Sequence, residues 1–274
     1  MHAENGAGRP GLEEAVEALA SAGISRAGLL VVLGSGQRSP WQDRVRVALP
    51  YEEVPGWEKP GVEGHGGCLS MFSEAGENVL VMAGRHHYYE SRSYDGVLRP
   101  LETARALGVR LVLLTNSAGA LDPTLQAGDL VLVDDHIFMQ GPDLPGRLQG
   151  VRPSGRRNGY SPRGRRIVRE AARKSGVELS GGTLLCVTGP AYETAAEAAM
   201  GRRAGARVAA MSLAPEALAA WTMEMEVTGI SLVTNVIGAA REDAVDHAEV
   251  VEAASRAQPR LARLLREALP MLLV

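Results

Sequence analysis

Val31-Val32-Leu33-Gly34-Ser35-Gly36 decides how this 274-residue chain reads: an apolar run enters a turn of the smallest residues. The arrangement recurs. Val79–Met82 runs into Gly84-Arg85-His86-His87-Tyr88-Tyr89, and Leu111–Leu114 into Thr115-Asn116-Ser117-Ala118-Gly119. Leu130–Val133 meets Asp134-Asp135-His136, and Leu184–Val187 meets Thr188-Gly189-Pro190-Ala191-Tyr192-Glu193. Val208–Ala210 precedes Met211-Ser212, and Ile230–Val233 precedes Thr234-Asn235. Ligands of open α/β sheets bind just beyond the carboxyl ends of the strands. Seven chemically loaded strand ends therefore predict an α/β fold with one composite small-molecule site.

Composition sets the bounds. With 45% hydrophobic but only 4% aromatic residues, the core must be aliphatic and alanine-rich. A chain this long buries roughly 75% of its unfolded surface, so it needs no metal or disulfide staple. Cys68 and Cys186 lie far apart without a partner motif and read as reduced thiols. No apolar run approaches the ~18 residues of a membrane span, and the reading is a soluble, cytoplasmic protein. The only lysines are Lys59 and Lys174, neither in a glycine-rich loop, which excludes a Walker-type phosphate loop. A net charge of −3 argues against general nucleic-acid binding. The basic span Arg147–Lys174 reads as a solvated face, or as an anion-steering or subunit-contact surface.

Helices are predicted at Leu12–Ala22, Val97–Leu107, Arg163–Ser175, Ala195–Ala204, Pro215–Met225 and Glu249–Leu269. Thr194-x-x-Glu197 and Asp246-x-x-Glu249 have capping-box spacing, and Pro215 suits a first helical turn. Gly141–Pro162, rich in Gly, Pro and Arg, reads as a long loop. With no composition shift, residues 1–274 read as one domain, the first ten as a flexible tail. Within it a mixed, twisted central sheet is expected to be flanked by helices.

Several motifs exclude themselves. Gly34-x-Gly36 lacks the third glycine of a dinucleotide fingerprint, because Ser39-Pro40 follows. Ser117 is no nucleophile elbow, since Thr115 stands where glycine is needed. Adjacent His86 and His87 on an extended segment point to opposite sides and make no metal pair. What remains is rich in anion donors. Small residues at 34–36 let backbone amides and the Ser35 hydroxyl approach a phosphate. Arg85 adds a planar fork of donors, and His87 lies on the same side of an extended chain.

Together these segments resemble the trimeric purine nucleoside phosphorylases, from about Leu29 to the final helix. The motifs are Leu-Gly-Ser-Gly (33–36), Gly-His-Gly-Gly (64–67), Gly-Arg-His-His-Tyr-Tyr-Glu (84–90) and Thr-Asn-Ser-Ala-Gly (115–119). They continue as Gly-Asp-Leu-Val-Leu-Val-Asp-Asp-His-Ile (128–137), Gly-Pro-Ala-Tyr-Glu-Thr-Ala-Ala-Glu (189–197), Met-Ser-Leu-Ala-Pro-Glu (211–216) and Leu-Val-Thr-Asn (232–235).

The resemblance implies phosphorolysis of purine (deoxy)ribonucleosides to free base and (deoxy)ribose 1-phosphate. Phosphate is a co-substrate, no metal or organic cofactor is expected, and the assembly expected is a homotrimer. It places phosphate on Ser35, His65, Arg85, His87, Ser117 and Ser212. It sets Tyr89 and Met211 on the ribose and His247 on its 5′-hydroxyl. Tyr192 flanks the base, Glu193 meets its N1 edge, Asn235 reaches N7, and Thr234 supports that edge. Asn235, Glu193 and His87 carry the chemistry. Glu193 with Asn235 implies a preference for 6-oxopurines, inosine and guanosine. Taken alone, Glu193 reads equally as a first-turn acid favoured by the helix dipole, and His247 as a solvated first-turn histidine.

The chain departs from the family pattern in places. Gln37-Arg38-Ser39-Pro40 replaces further small residues after the first turn, with Arg38 a possible extra phosphate contact. Ser117 stands where alanine is common, and Val236 where a lysine often follows Thr-Asn. The loop 141–162 is shortened, so an aromatic residue closing a neighbouring subunit's site has no assigned position. The alternatives left open are a methylthioadenosine or methylthioinosine phosphorylase and a non-catalytic nucleoside-binding protein.

Overall fold

The computed structural model describes residues 11–62, 64–141, 144, 159–237 and 247–274. All seven apolar runs fall in strands, the first running one residue, Leu33, past the end of its strand. At the centre is β1 (Leu29–Val32), buried at all four residues. It runs parallel between β4 (Glu77–Ala83) and β5 (Leu111–Ala120). A strand covered on both faces needs an unbroken apolar run. Leu30 and Val32 accordingly enter one core, and Leu29, Val31 and Leu33 the other.

The remaining strands are β2 (Val47–Pro50), β3 (Cys68–Glu74), β6 (Leu130–Met139), β7 (Ser180–Val187), β8 (Ala206–Ala210) and β9 (Glu226–Val236). Their order is β2-β3-β4-β1-β5-β8-β7-β6-β9, and β9 also pairs with β5. That extra pairing closes β5, β8, β7, β6 and β9 into a ring, with β1 to β4 as an open extension. β2 and β3 are additional to the seven runs; β2 (Val-Ala-Leu-Pro) is a short edge strand of half-buried and exposed residues in alternation, and no chemically loaded turn follows it.

Helices cover both faces. On one side pack α1 (Leu12–Ser21), α3 (Asp95–Ala106) and α6 (Ala214–Thr222). On the other pack α4 (Pro162–Ser175) and the long α7 (His247–Leu273). A short α2 (Tyr88–Ser91) follows β4, and α5 (Ala195–Arg203) follows β7. All six expected helices are present, their ends within four residues of expectation. The Thr194 capping box is formed: Thr194 Oγ1 accepts the Glu197 N–H at 3.3 Å, and the Glu197 carboxylate accepts the Thr194 N–H at 2.8 Å. Asp246, residues 1–10 and most of the loop 141–162 lie outside the described residues. Cys186 is buried and Cys68 partly so, and neither is bridged. Among the described residues no helix is long and apolar enough to cross a membrane.

One pairing detail makes the site. β5 is covered along one edge by β1 at residues 111–114 and by antiparallel β8 at residues 119–120. Between these partners, residues 115–118 have no described strand beside them on that edge. The chain leaves β1 there through Gly34-Ser35-Gly36, and a cavity opens over the gap. Six of the seven loaded strand ends reach it. The exception is Asp134-Asp135-His136, because β6 runs on to Met139 and leaves these three in mid-strand. The true end of β6 is followed by Gln140, which does not line the cavity.

Candidate active site

The cavity encloses about 610 Å³, its open mouth included, and all thirteen expected residues line it. Ser35, His65, Arg85, His87, Ser117 and Ser212 gather at one end. Tyr89, Tyr192, Glu193, Met211, Thr234, Asn235 and His247 complete the walls. Arg38 is not among them; it lines a neighbouring cavity. Of the paired histidines, His87 faces the site, while His86 turns away onto Glu58 (3.1 Å) and Ser91 (3.0 Å).

At the anion end, geometry fixes hydrogen positions. The Arg85 backbone N–H donates to His65 Nδ1 at 3.0 Å, so Nε2 carries the hydrogen of the neutral ring. Nε2 lies 2.9 Å from Ser35 Oγ and donates to it. The Ser35 hydroxyl hydrogen is thereby left for a ligand. Burial holds the His65 pKa well below the usual histidine range, and the neighbouring His87, Arg85 and His247 lower it further. Gly84 makes this packing possible: at φ +97° a Cβ there would stand 2.2 Å from His65 Nδ1.

The turn offers less backbone than Gly-Ser-Gly alone suggests. The Gly34 N–H is taken by Gln37 Oε1 at 2.9 Å, and the Gly36 N–H by the Gly64 carbonyl at 3.2 Å. That leaves the Ser35 N–H and hydroxyl. Gly34 is required by close approach, since a Cβ would fall 2.7 Å from Asn116 Cα. Gln37, read as a departure from small residues, is therefore a buried brace between this turn and β5, where its Oε1 also accepts from Thr115 Oγ1. Ser117 Oγ adds a third tie, donating to the Ser35 carbonyl at 3.0 Å.

Arg85 is 3% exposed and most of its donors are engaged. Nη2 reaches the Val32 and Thr115 carbonyls, Nη1 the Ser212 hydroxyl at 3.2 Å, and Nε pairs with Glu216 at 3.1 Å. Three of five N–H groups are thus hydrogen-bonded inside the protein; Nε faces Glu216 as an ion pair without a hydrogen bond, and one N–H on Nη1 is left for an anion. Burial pushes the Arg85 pKa down and the Glu216 carboxylate opposes it. Glu216 ends the Met-Ser-Leu-Ala-Pro-Glu motif, and nothing in its local sequence gives it a part in the site. A carboxylate one residue after a first-turn proline reads as ordinary dipole chemistry, and only the fold brings it under Arg85.

His87 caps α2. Its N–H and Nδ1 both meet Glu90 Oε1, at 2.7 and 3.1 Å, and its ring stacks on Tyr89 at 5.0 Å. Burial lowers the His87 pKa against the opposing hydrogen bond from Glu90. With Nδ1–H on the carboxylate, Nε2 is the ring's open position.

At the far end, Asn235 Oδ1 lies 3.1 Å from Thr234 Oγ1, and its buried Nδ2 has no partner. The Thr234 hydroxyl also reaches the Ala118 carbonyl at 3.3 Å, so the amide is free to turn, and with Oδ1 on Thr234 its NH₂ is the group left over. Such an orphaned donor costs about 1–3 kcal/mol, an outlay that points to a ligand acceptor. Burial raises the Glu193 pKa, and the nearby Glu197 adds to the rise.

With this geometry in view, known proteins can be compared. The family profile described as "Phosphorylase superfamily" matches residues 29–270. Purine nucleoside phosphorylase 1 of Geobacillus stearothermophilus is 34% identical, over 94% of this chain and 96% of its own. The purine nucleoside phosphorylase of Mycobacterium tuberculosis is 36% identical over 89% and 90%. The chain belongs to the purine nucleoside phosphorylase family. A crystal structure of Schistosoma mansoni purine nucleoside phosphorylase in complex with adenosine superposes with a TM-score of 0.81 at 26% identity, covering 95% of this chain and 96% of that one. A complex of a schistosome purine nucleoside phosphorylase with hypoxanthine gives a TM-score of 0.79 at 25% identity. Membership of the purine nucleoside phosphorylases makes this chain an enzyme of purine nucleoside phosphorolysis.

Neutral buried histidines have a consequence for stability. The pKa values of His65, His87 and His136 are all lowered, burial being the first cause in each. The unfolded chain, with histidines near 6.5, binds more protons than the folded one below that pH. The stability at stake is fully present above about pH 6.5 and is lost as pH falls toward the depressed folded values. The raised Glu193 works in the opposite direction, but as one carboxyl against three rings. Thermal unfolding in phosphate-free buffer is expected to show a Tm falling between about pH 7.5 and 5.5; a flat or rising Tm contradicts the neutral-ring assignment.

Proposed function

We propose that the cavity takes 6-oxopurine nucleosides, inosine and guanosine in ribo or deoxy form, with phosphate held between Ser35, His65, Arg85, His87, Ser117 and Ser212. The observation that carries the reading is the buried, unpartnered Asn235 amide nitrogen. In that orientation the amide complements the acceptors of a 6-oxopurine, N7 and O6, although amide rotation lets it meet either edge, so Glu193 carries the discrimination. The 6-amino group of adenine presents a donor of its own there. Glu193, as a carboxylate, accepts from the protonated N1 of a 6-oxopurine, whereas adenine offers an unprotonated N1.

The chemistry follows from the charges. Cleaving the N-glycosidic bond leaves positive charge on the sugar and negative charge on the purine. Asn235 stabilises the charge gathering at N7, and bound phosphate faces the cationic sugar. This is preorganised electrostatics, with phosphate as the attacking group. His87 Nε2 accepts the hydrogen of hydrogen phosphate while Nδ1–H stays on Glu90. Tyr89 and Met211 bound the ribose, Tyr192 the base, and His247 the 5′-hydroxyl. We further propose a homotrimer, which light scattering tests as a mass three times the 29.0 kDa chain.

The deciding assay follows hypoxanthine release from inosine with and without phosphate, beside adenosine and methylthioadenosine. Phosphate-dependent release from inosine, at kcat/KM at least about tenfold above adenosine, is expected; losing a paired polar contact costs about 1–3 kcal/mol. Turnover of the methylthio compound alone overturns the assignment of the base and 5′ contacts.

A further inference from the structure

The two walls of the nucleoside site leave the sheet at the same rung. In the parallel β7–β8 ladder, Leu185 pairs with Ala209 and Cys186 with Ala210, and the ladder ends there. Continued by one residue, the register would pair Val187 with Met211. Instead the strands part. From Val187 the chain runs through residues 188–191 to Tyr192 and Glu193 on the base side. Met211 begins the opposite wall, followed by Ser212.

Gln140 spans this opening. Its Nε2 donates to the Val187 carbonyl at 3.0 Å and to the Met211 carbonyl at 2.7 Å. The amide orientation is settled by its neighbours: Tyr94 OH lies 3.4 Å from Oε1, and a flipped amide would face an oxygen against two carbonyl oxygens. Tyr94 is itself held, stacked on Tyr88 with ring centroids 4.4 Å apart. Gln140 is 8% exposed and does not line the cavity.

We propose that Gln140 is a positioning residue that sets the spacing between the base wall and the ribose wall, and thereby nucleoside affinity. Two N–H groups on one nitrogen replace the missing rung and hold both walls at a fixed separation without touching substrate. Looser walls reduce the fraction of molecules ready to bind. The phosphate groups on β1, β4 and β5 hang from other elements: Ser35 on His65 and Ser117, Arg85 on Val32, Thr115 and Glu216. Of the phosphate residues only Ser212 follows the wall that Gln140 holds, and its hydroxyl is also held by Arg85 Nη1; Gln140 therefore acts chiefly on nucleoside binding. The proposal rests on the cavity being the purine nucleoside site.

The test compares wild type, Gln140→Met and Gln140→Asn. Methionine matches glutamine in length but donates nothing, and asparagine keeps both donors one methylene short. Two lost hydrogen bonds predict a nucleoside KM about tenfold or more above wild type in Gln140→Met, with phosphate KM within about twofold. Gln140→Asn is expected in between, and carries the same split if the methionine variant does not fold. Nucleoside and phosphate KM rising together, or neither changing, overturns the proposal. Variants are measured on a purine nucleoside that wild type turns over. A wild type inactive on inosine but active on another purine nucleoside therefore corrects the substrate reading and leaves this comparison intact.

Discussion

Replacing Asn235 by alanine is expected to lower kcat/KM for inosine by roughly 10²- to 10³-fold, the cost of removing one preorganised donor at a developing negative charge. Stability should barely change. The Asn235 Nδ2 has no protein partner to lose. Thr234 Oγ1, now donating to Asn235 Oδ1, has the Ala118 carbonyl 3.3 Å away as its other acceptor. The variant also relieves a buried, unsatisfied N–H. A large rate loss with an unchanged Tm separates a catalytic part from a structural one; equal losses in both contradict the assignment. Asn235→Asp refines the point. A carboxylate facing N7 and O6 repels a 6-oxopurine, so inosine turnover should fall further than adenosine turnover.

Glu216→Ala is expected to be the most destabilising single change at the site. Arg85 and Glu216 are each 4% exposed in their side chains and lie 3.1 Å apart. Deleting one member of a buried ion pair leaves the other charge uncompensated, at about 3–5 kcal/mol. For a chain of this size that lowers Tm by about 5–9 °C. Phosphate then becomes the remaining counter-charge to Arg85. Saturating phosphate is therefore expected to raise the Tm of Glu216→Ala by more than it raises that of wild type, since a ligand stabilises by its preference for the folded state. Differential scanning fluorimetry with and without phosphate reads both effects. Equal phosphate shifts in the two proteins would show that Glu216 supports packing without tuning the anion end.

The parts of this protein that were legible in the sequence share a cause: each is a local rule. Val31-Val32-Leu33 reads as a buried strand because no polar residue interrupts it. Thr194-x-x-Glu197 reads as a helix start because both bonds span three residues. Twelve of the thirteen cavity residues stand in the short motifs at or near strand ends, while His247, the first residue of α7, lies outside them and was named from the resemblance alone. What escaped the reading depends on partners distant in sequence. Gln37 looked like a departure until its amide reached Gly34 and Thr115. Glu216 looked like a first-turn acid until α6 set it beneath Arg85, 131 positions earlier in the chain. Gln140 carried no signal, since a glutamine ending a strand is unremarkable until two carbonyls converge on it.

The sequence by itself determined which residues carry chemistry, which strands are buried and which helices cover them. Periodicity, capping and turn chemistry act over a few residues, and the motifs fall within that reach. Tertiary structure alone decided that β5 is left open between β1 and β8, that six strand ends meet there while Asp134–His136 stays in mid-strand, and that buried partners consume most of the donors of Arg85. Those outcomes follow from strand register and ring closure, which bring together groups separated by up to about two hundred residues and so leave no local pattern in the chain.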